Sequence, residues 1–125
     1  MRNTGTTSRS DETKWKARPR WRICRGDEIA LGPGKVDLLE AIGEAGSISG
    51  AARELGMSYR RAWLLVETMN RCFRRPLVAT SSFRRGGAAV TGEGQEVLAL
   101  YRRIQEASLA ATRSSWAAIE RLLAP

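Results

Sequence analysis

The densest run of chemically capable side chains is Ser58-Tyr59-Arg60-Arg61, with a second basic pair, Arg84-Arg85, further along. Hydroxyl, phenol and guanidinium groups donate hydrogen bonds to phosphate oxygens, and guanidinium also matches the guanine edge bidentately. This set suits recognition of a polyanion rather than bond cleavage. The chain has no histidine, which removes the commonest general base and the commonest metal ligand. No paired-carboxylate or nucleophile motif takes its place, so the chain is not expected to be an enzyme. Cys24 and Cys72 lack CxxC spacing and read as two reduced, mostly buried thiols. Gly32-Pro33-Gly34 is only a fragment of a phosphate loop, without a third glycine or a Gly-Lys-Ser/Thr. No cofactor and no metal is expected.

Charge supports the polyanion reading through its distribution. The formal net charge is +8 over 125 residues. Residues 1–25 carry +6, residues 26–52 carry −4, residues 53–85 carry +6, and residues 86–125 are neutral. A generic solvated surface intersperses its signs, whereas this one segregates them. Arginine far outnumbers lysine, as suits bidentate pairing with phosphate. No apolar run reaches the ~18 residues of a membrane span, and the N-terminus has no signal-like apolar stretch. The expected compartment is cytoplasmic, with no membrane partner.

The elements that must position these side chains follow from periodicity and punctuation. Residues 1–20 are polar and basic and read as a disordered arm; residues 21–125 read as one domain. Trp21 to Leu31, with Gly26-Asp27 at its centre, reads as a short β-hairpin. A first helix is expected from about Val36 to Gly46. Ser47 caps a short second helix ending at Leu55, and Gly56 closes it. Ser58 caps a third helix running to about Phe73, with Ala62, Leu65, Val66, Met69 and Phe73 inward. Short strands at residues 77–80 and 88–90 flank a basic, Gly-ended loop. Thr91 caps a long final helix whose apolar stripe extends through Leu122 and Leu123.

Two short helices crossing around a tight turn need a small residue at the crossing and a glycine in the turn. Ala52 and Gly56, four residues apart, supply them. The fold class expected is mainly α with small β: a winged helix-turn-helix with a long C-terminal helix. The candidate DNA-binding residues are Ser58, Tyr59 and Arg60 at the start of the recognition helix, with Arg61 as a phosphate clamp. Arg84 and Arg85 stand at the wing tip, and helix-terminal donors near Ser47 complete the set. Trp63 is expected to pack against neighbours rather than to meet DNA.

The run Gly46-Ser47-Ile48-Ser49-Gly50-Ala51-Ala52-Arg53-Glu54-Leu55-Gly56-Met57-Ser58-Tyr59-Arg60-Arg61-Ala62-Trp63 resembles the DNA-binding domain of the ModE family of molybdate-dependent regulators. Glu67-Thr68-Met69-Asn70, Pro76-Leu77-Val78, Gly86-Gly87-Ala88 and Val90-Thr91-Gly92-Glu93-Gly94 continue the likeness, which extends from about Trp21 to Gln105. Ser-Tyr-x-x-Ala-Trp is specific to that family, whereas Ser-Ile-Ser-x-Ala-Ala is shared with LysR-type winged helices. Ala79-Thr80 departs from the acidic-led pair common in the family wing, and the tip is shorter. The resemblance implies a homodimer that binds double-stranded operator DNA and regulates transcription. In such proteins the ligand sits in separate C-terminal domains, and with Pro125 directly after the last helix the expectation is a reader without a molybdate-binding domain. A protein-interaction module, or a half-regulator acting with a separate sensing partner, is the alternative reading.

Overall fold

A turn at Gly26-Asp27, with Gly26 at φ 60°, folds strand β1 (Ile23–Arg25) against β2 (Glu28–Leu31). The computed structural model describes residues 12–81 and 86–125. In the hairpin Cys24 faces Ile29 and Arg25 faces Glu28, and Leu31 carries the chain into the core. All of β1 is exposed, because a two-stranded ribbon covers only one side. Cys24 is therefore open to solvent and Cys72 half-buried; both thiols are free, but the expectation of mostly buried cysteines is corrected.

Pro33 starts helix α1 (Pro33–Ala45), three residues ahead of the first apolar position that marks it in the sequence. Leu38, Leu39, Ala41 and Ile42 are completely buried, so α1 is the central post of the domain. Gly46 ends it at φ 73°, donating its N–H to Ile42, a conformation that side chains with a Cβ rarely adopt. Helices α2 (Ile48–Leu55) and α3 (Tyr59–Cys72) pack on α1 through Ile48, Ala51, Ala52, Ala62, Val66 and Met69. The small crossing residues sit where close approach requires them, with Ala51 and Ala62 fully buried.

Strands β3 (Val78–Thr80) and β4 (Ala88–Val90) form the wing ribbon, with Val78 facing Val90 and Thr80 facing Ala88. The ribbon is anchored to the helix-turn-helix by a bridge between Ser47 and Gly87, and Ala88 donates its N–H to the Gly46 carbonyl. Helix α4 (Gly92–Ala111) then returns across α1, and α5 (Arg113–Glu120) follows it. The single helix anticipated to Leu123 is thus broken at Thr112, whose φ of −103° and ψ of 6° leave the helical region. Its hydroxyl donates to the Ser108 carbonyl at 2.6 Å, a local bond that competes with the regular helix.

The chain ahead of β1 is ordered by aromatic contacts over its described part. The Trp21 indole donates to Ser108 Oγ at 2.6 Å, and Tyr101 Oη donates to the Trp21 carbonyl at 2.7 Å. The Trp15 indole donates to the Ala124 carbonyl at 2.8 Å. Within the arm read from the sequence as residues 1–20, residues 12–20 therefore run beside α4 and the C-terminus; residues 1–11 lie outside the described residues.

Candidate nucleic-acid interface

Helix α2 begins where Ser47, in an extended conformation, accepts the Gly50 N–H on its side-chain oxygen at 3.0 Å. Gly50 lets the cap close, because a Cβ there would lie 2.8 Å from Ser47 Oγ. After Leu55, Gly56 at φ 68° reverses the chain, and Met57 N–H reaches back to the Ala52 carbonyl. Ser58 then caps α3 by accepting the Arg61 N–H at 3.1 Å. Each such cap is worth about 1 kcal/mol and fixes where the next helix starts. Both hydroxyls keep a hydrogen free to donate outward.

The result is a protruding helix start. Ser58, Tyr59, Arg60 and Arg61 are all exposed, and Tyr59 keeps 53% of its surface open although it is aromatic. Among the described residues no ion pair engages Arg60 or Arg61. The other end of α3 differs: Arg71 Nη1 lies 2.6 Å from Glu28 Oε2, and Cys72 Sγ donates to the same carboxylate. Those hydrogen bonds, led by that from Arg71, hold the Glu28 carboxyl below its ordinary range. Burial and the Glu28 carboxylate together push the Cys72 thiol up. Charge is thus neutralised at the C-terminal end of α3 and left free at its N-terminal turn, the end that enters a major groove in helix-turn-helix docking.

Lys35, in the first turn of α1, is half-buried, and burial lowers its pKa, with the Arg61 charge adding to the effect. Trp63 is 43% exposed and lines a groove with Ile48, Val66, Glu67, Asn70, Arg71 and Thr80 between α3 and β3. It is less enclosed than expected, because the wing strand forms only the far lip of that groove.

Arg84 and Arg85, in the connection between β3 and β4, lie outside the described residues. The base of that connection is well defined. Asn70 on α3 accepts the Leu77 and Val78 N–H groups on Oδ1 at 2.9 and 3.1 Å, and its Nδ2 donates to the Val78 carbonyl at 3.0 Å. One side chain therefore clips the wing to the recognition helix. The sequence reading did not assign it a role; a polar residue on the flank of an otherwise apolar stripe was the available signal. Among the described residues no group of three Cys, Asp or Glu side chains is placed to hold a metal ion, and no helix is long and apolar enough to cross a membrane.

A tri-helical core, a capped protruding helix and a two-stranded ribbon at its side define a winged helix-turn-helix domain. The fold matches that of the crystal structure of the CbnR DNA-binding domain–DNA complex with a TM-score of 0.55 and 24% identity, covering 69% of this chain and 95% of that one. In sequence, the chain is 43% identical over 88 residues to the molybdenum-pterin-binding protein MopB of Rhodobacter capsulatus, covering 69% of this chain and 32% of MopB. It is 39% identical over 71 residues to the DNA-binding transcriptional dual regulator ModE of Escherichia coli K12, covering 55% of this chain and 27% of that regulator. No family model matches the chain. The chain carries a ModE-type helix-turn-helix region, and it spans about a third of the length of the curated relatives it matches.

Proposed function

We propose that this chain is a DNA-binding transcription regulator that reads duplex DNA as a homodimer. The observation that carries the reading is the free, exposed cationic turn at the start of α3, beside an α3 C-terminus whose charge is already paired. Ser58, Tyr59 and Arg60 would meet base edges and phosphates in the major groove, with Arg61 on the backbone beside them. Arg84 and Arg85, between the wing strands, would hold the flanking backbone, and the α2 start at Ser47 would present N–H groups to a phosphate. Pairing of two copies is supported by apolar side chains open on the C-terminal helices: Leu100, Ile104, Leu109, Ile119 and Leu122 are between 36% and 86% exposed. A two-fold pair implies a near-palindromic site with half-sites a whole number of helical turns apart.

The test is a salt titration of binding to a selected duplex. Arg60→Ala is expected to cost about 1–3 kcal/mol and to relax base preference, since a lost bidentate base contact has that value. Arg84→Ala is expected to weaken binding to all sequences alike, with the logarithmic salt slope falling by about 0.9 for the lost phosphate contact. Unchanged affinity in both variants would refute the assignment of this face.

A further inference from the structure

The segment ahead of β1 has a pattern that a loose basic tail has no need of. From residue 14 to residue 22 the chain alternates strictly: Lys14, Lys16, Arg18, Arg20 and Arg22 at even positions, Trp15, Ala17, Pro19 and Trp21 between them. In an extended chain successive side chains point to opposite sides, so this alternation separates a cationic face from an apolar one. Pro19 also biases Arg18 toward extended backbone.

The contacts agree with that division. The odd side is seated: Trp21 bonds to Ser108, Trp15 bonds to Ala124, and Pro19 is half-buried. The segment runs antiparallel to the C-terminal helices, and near its middle Ala17, Arg18 and Pro19 line a shallow cleft with Arg102, Gln105 and Leu109. Tyr101, buried to 1% exposure in α4, pins the end next to β1 through its bond to the Trp21 carbonyl. The even side is open. All five cations are exposed, and among the described residues none of them forms an ion pair. At a rise of ~3.3 Å per residue they span roughly 26 Å, one charge about every 6.6 Å.

We propose that residues 14–22 form a second polyanion-binding surface, a strap seated on α4 that presents a row of cations to the phosphate backbone of duplex DNA, apart from the recognition helix. The inference rests on the DNA-binding reading above and extends it to a surface carrying no base-reading geometry. Because the strap is already ordered by its tryptophans, binding does not have to supply the entropy of straightening a free tail. The phosphates come either from the flanks of the bound site or from a second duplex.

The experiment uses the full chain carrying Lys14→Gln, Lys16→Gln, Arg18→Gln, Arg20→Gln and Arg22→Gln together, with Arg60→Ala alone as the comparison. Binding is measured against salt on a minimal site, on the same site extended by a helical turn at each end, and in a two-duplex bridging assay. The strap variant is expected to keep its unfolding midpoint and its base preference, and to lose between about 2 and 4.5 units of logarithmic salt slope at 0.9 per phosphate. Loss confined to the extended site identifies flanking backbone, and loss of bridging identifies a second duplex. Trp15→Ala with Trp21→Ala keeps every charge and unseats the strap; it is expected to weaken binding several-fold, and full affinity in that variant overturns the seated geometry. A strap variant indistinguishable from the parent on DNA, or one that loses only attachment to anionic lipid vesicles, overturns the proposal while leaving the recognition-helix reading intact. Strap-dependent binding that persists with no base preference and no effect of Arg60→Ala refutes the recognition-helix reading and keeps the strap. A chain that binds no duplex at all refutes both.

Discussion

Asn70→Ala is the substitution with the clearest physical consequence. Asn70 makes three hydrogen bonds from α3 to the first wing strand, and it alone accepts from the amides of Leu77 and Val78 on the helix side. Those residues are 0% and 2% exposed, so their N–H groups gain little from water when the carboxamide goes. A buried amide left without an acceptor costs roughly 1–3 kcal/mol, and the lost donor bond to the Val78 carbonyl adds about 1 kcal/mol. Asn70 itself is only half-buried, which admits some solvent, and a loss of about 2–4 kcal/mol is expected. That is a large part of the ~5–15 kcal/mol available to a domain. Urea unfolding followed by far-ultraviolet circular dichroism measures it. Asn70→Asp keeps the acceptor and loses only the donor, so it should be milder than alanine at neutral pH. Two variants both within about 0.5 kcal/mol of the parent would refute the clip as the link between wing and recognition helix.

Three further outcomes follow from other contacts. Gly94→Ala is expected to destabilise by about 1–3 kcal/mol in thermal unfolding, because its Cβ would lie 2.4 Å from the Leu77 carbonyl oxygen, whereas Gly92→Ala meets nothing within 4 Å and should be tolerated. Burial raises the Tyr101 phenol above its ordinary value of 10.0, so the folded state holds that proton more tightly than the unfolded one. Stability is then full below pH 10 and falls as pH rises through the window up to the raised pKa; Tyr101→Phe should flatten that fall in alkaline unfolding, and an equally steep fall in the variant would contradict it. Leu109→Glu with Ile119→Glu, both on exposed apolar positions, is expected to shift sedimentation equilibrium toward the monomer without lowering the unfolding midpoint.

Much of this fold was legible because local chemistry and global packing agree. Ser47, Ser58 and Thr91 each cap the helix they precede, and Gly46 and Gly56 take the left-handed turns that only glycine adopts freely. The exposed turn at residues 58–61 was legible too, since inward positions at helical spacing leave Tyr59 and Arg60 no core to enter. Long-range bonds were not legible. The Asn70 clip joins residues 7 and 8 apart across a helix end, and nothing in local spacing names its partners. Composition alone made residues 12–20 resemble a free arm, because the anchors that hold them are two indoles whose acceptors lie 87 and 109 residues away. The break at Thr112 was hidden by an apolar stripe that continues past it with nearly unchanged period, while the bond that interrupts the helix is a single threonine hydroxyl.

The central claim is that the start of α3 reads a DNA sequence. Selection of binding sites from random duplex DNA by the full chain tests it most directly, run in parallel with Arg60→Ala. The account predicts enrichment of one near-palindromic sequence by the parent chain and loss of that enrichment in the variant. No enriched sequence, or the same sequence enriched equally by both, would contradict it.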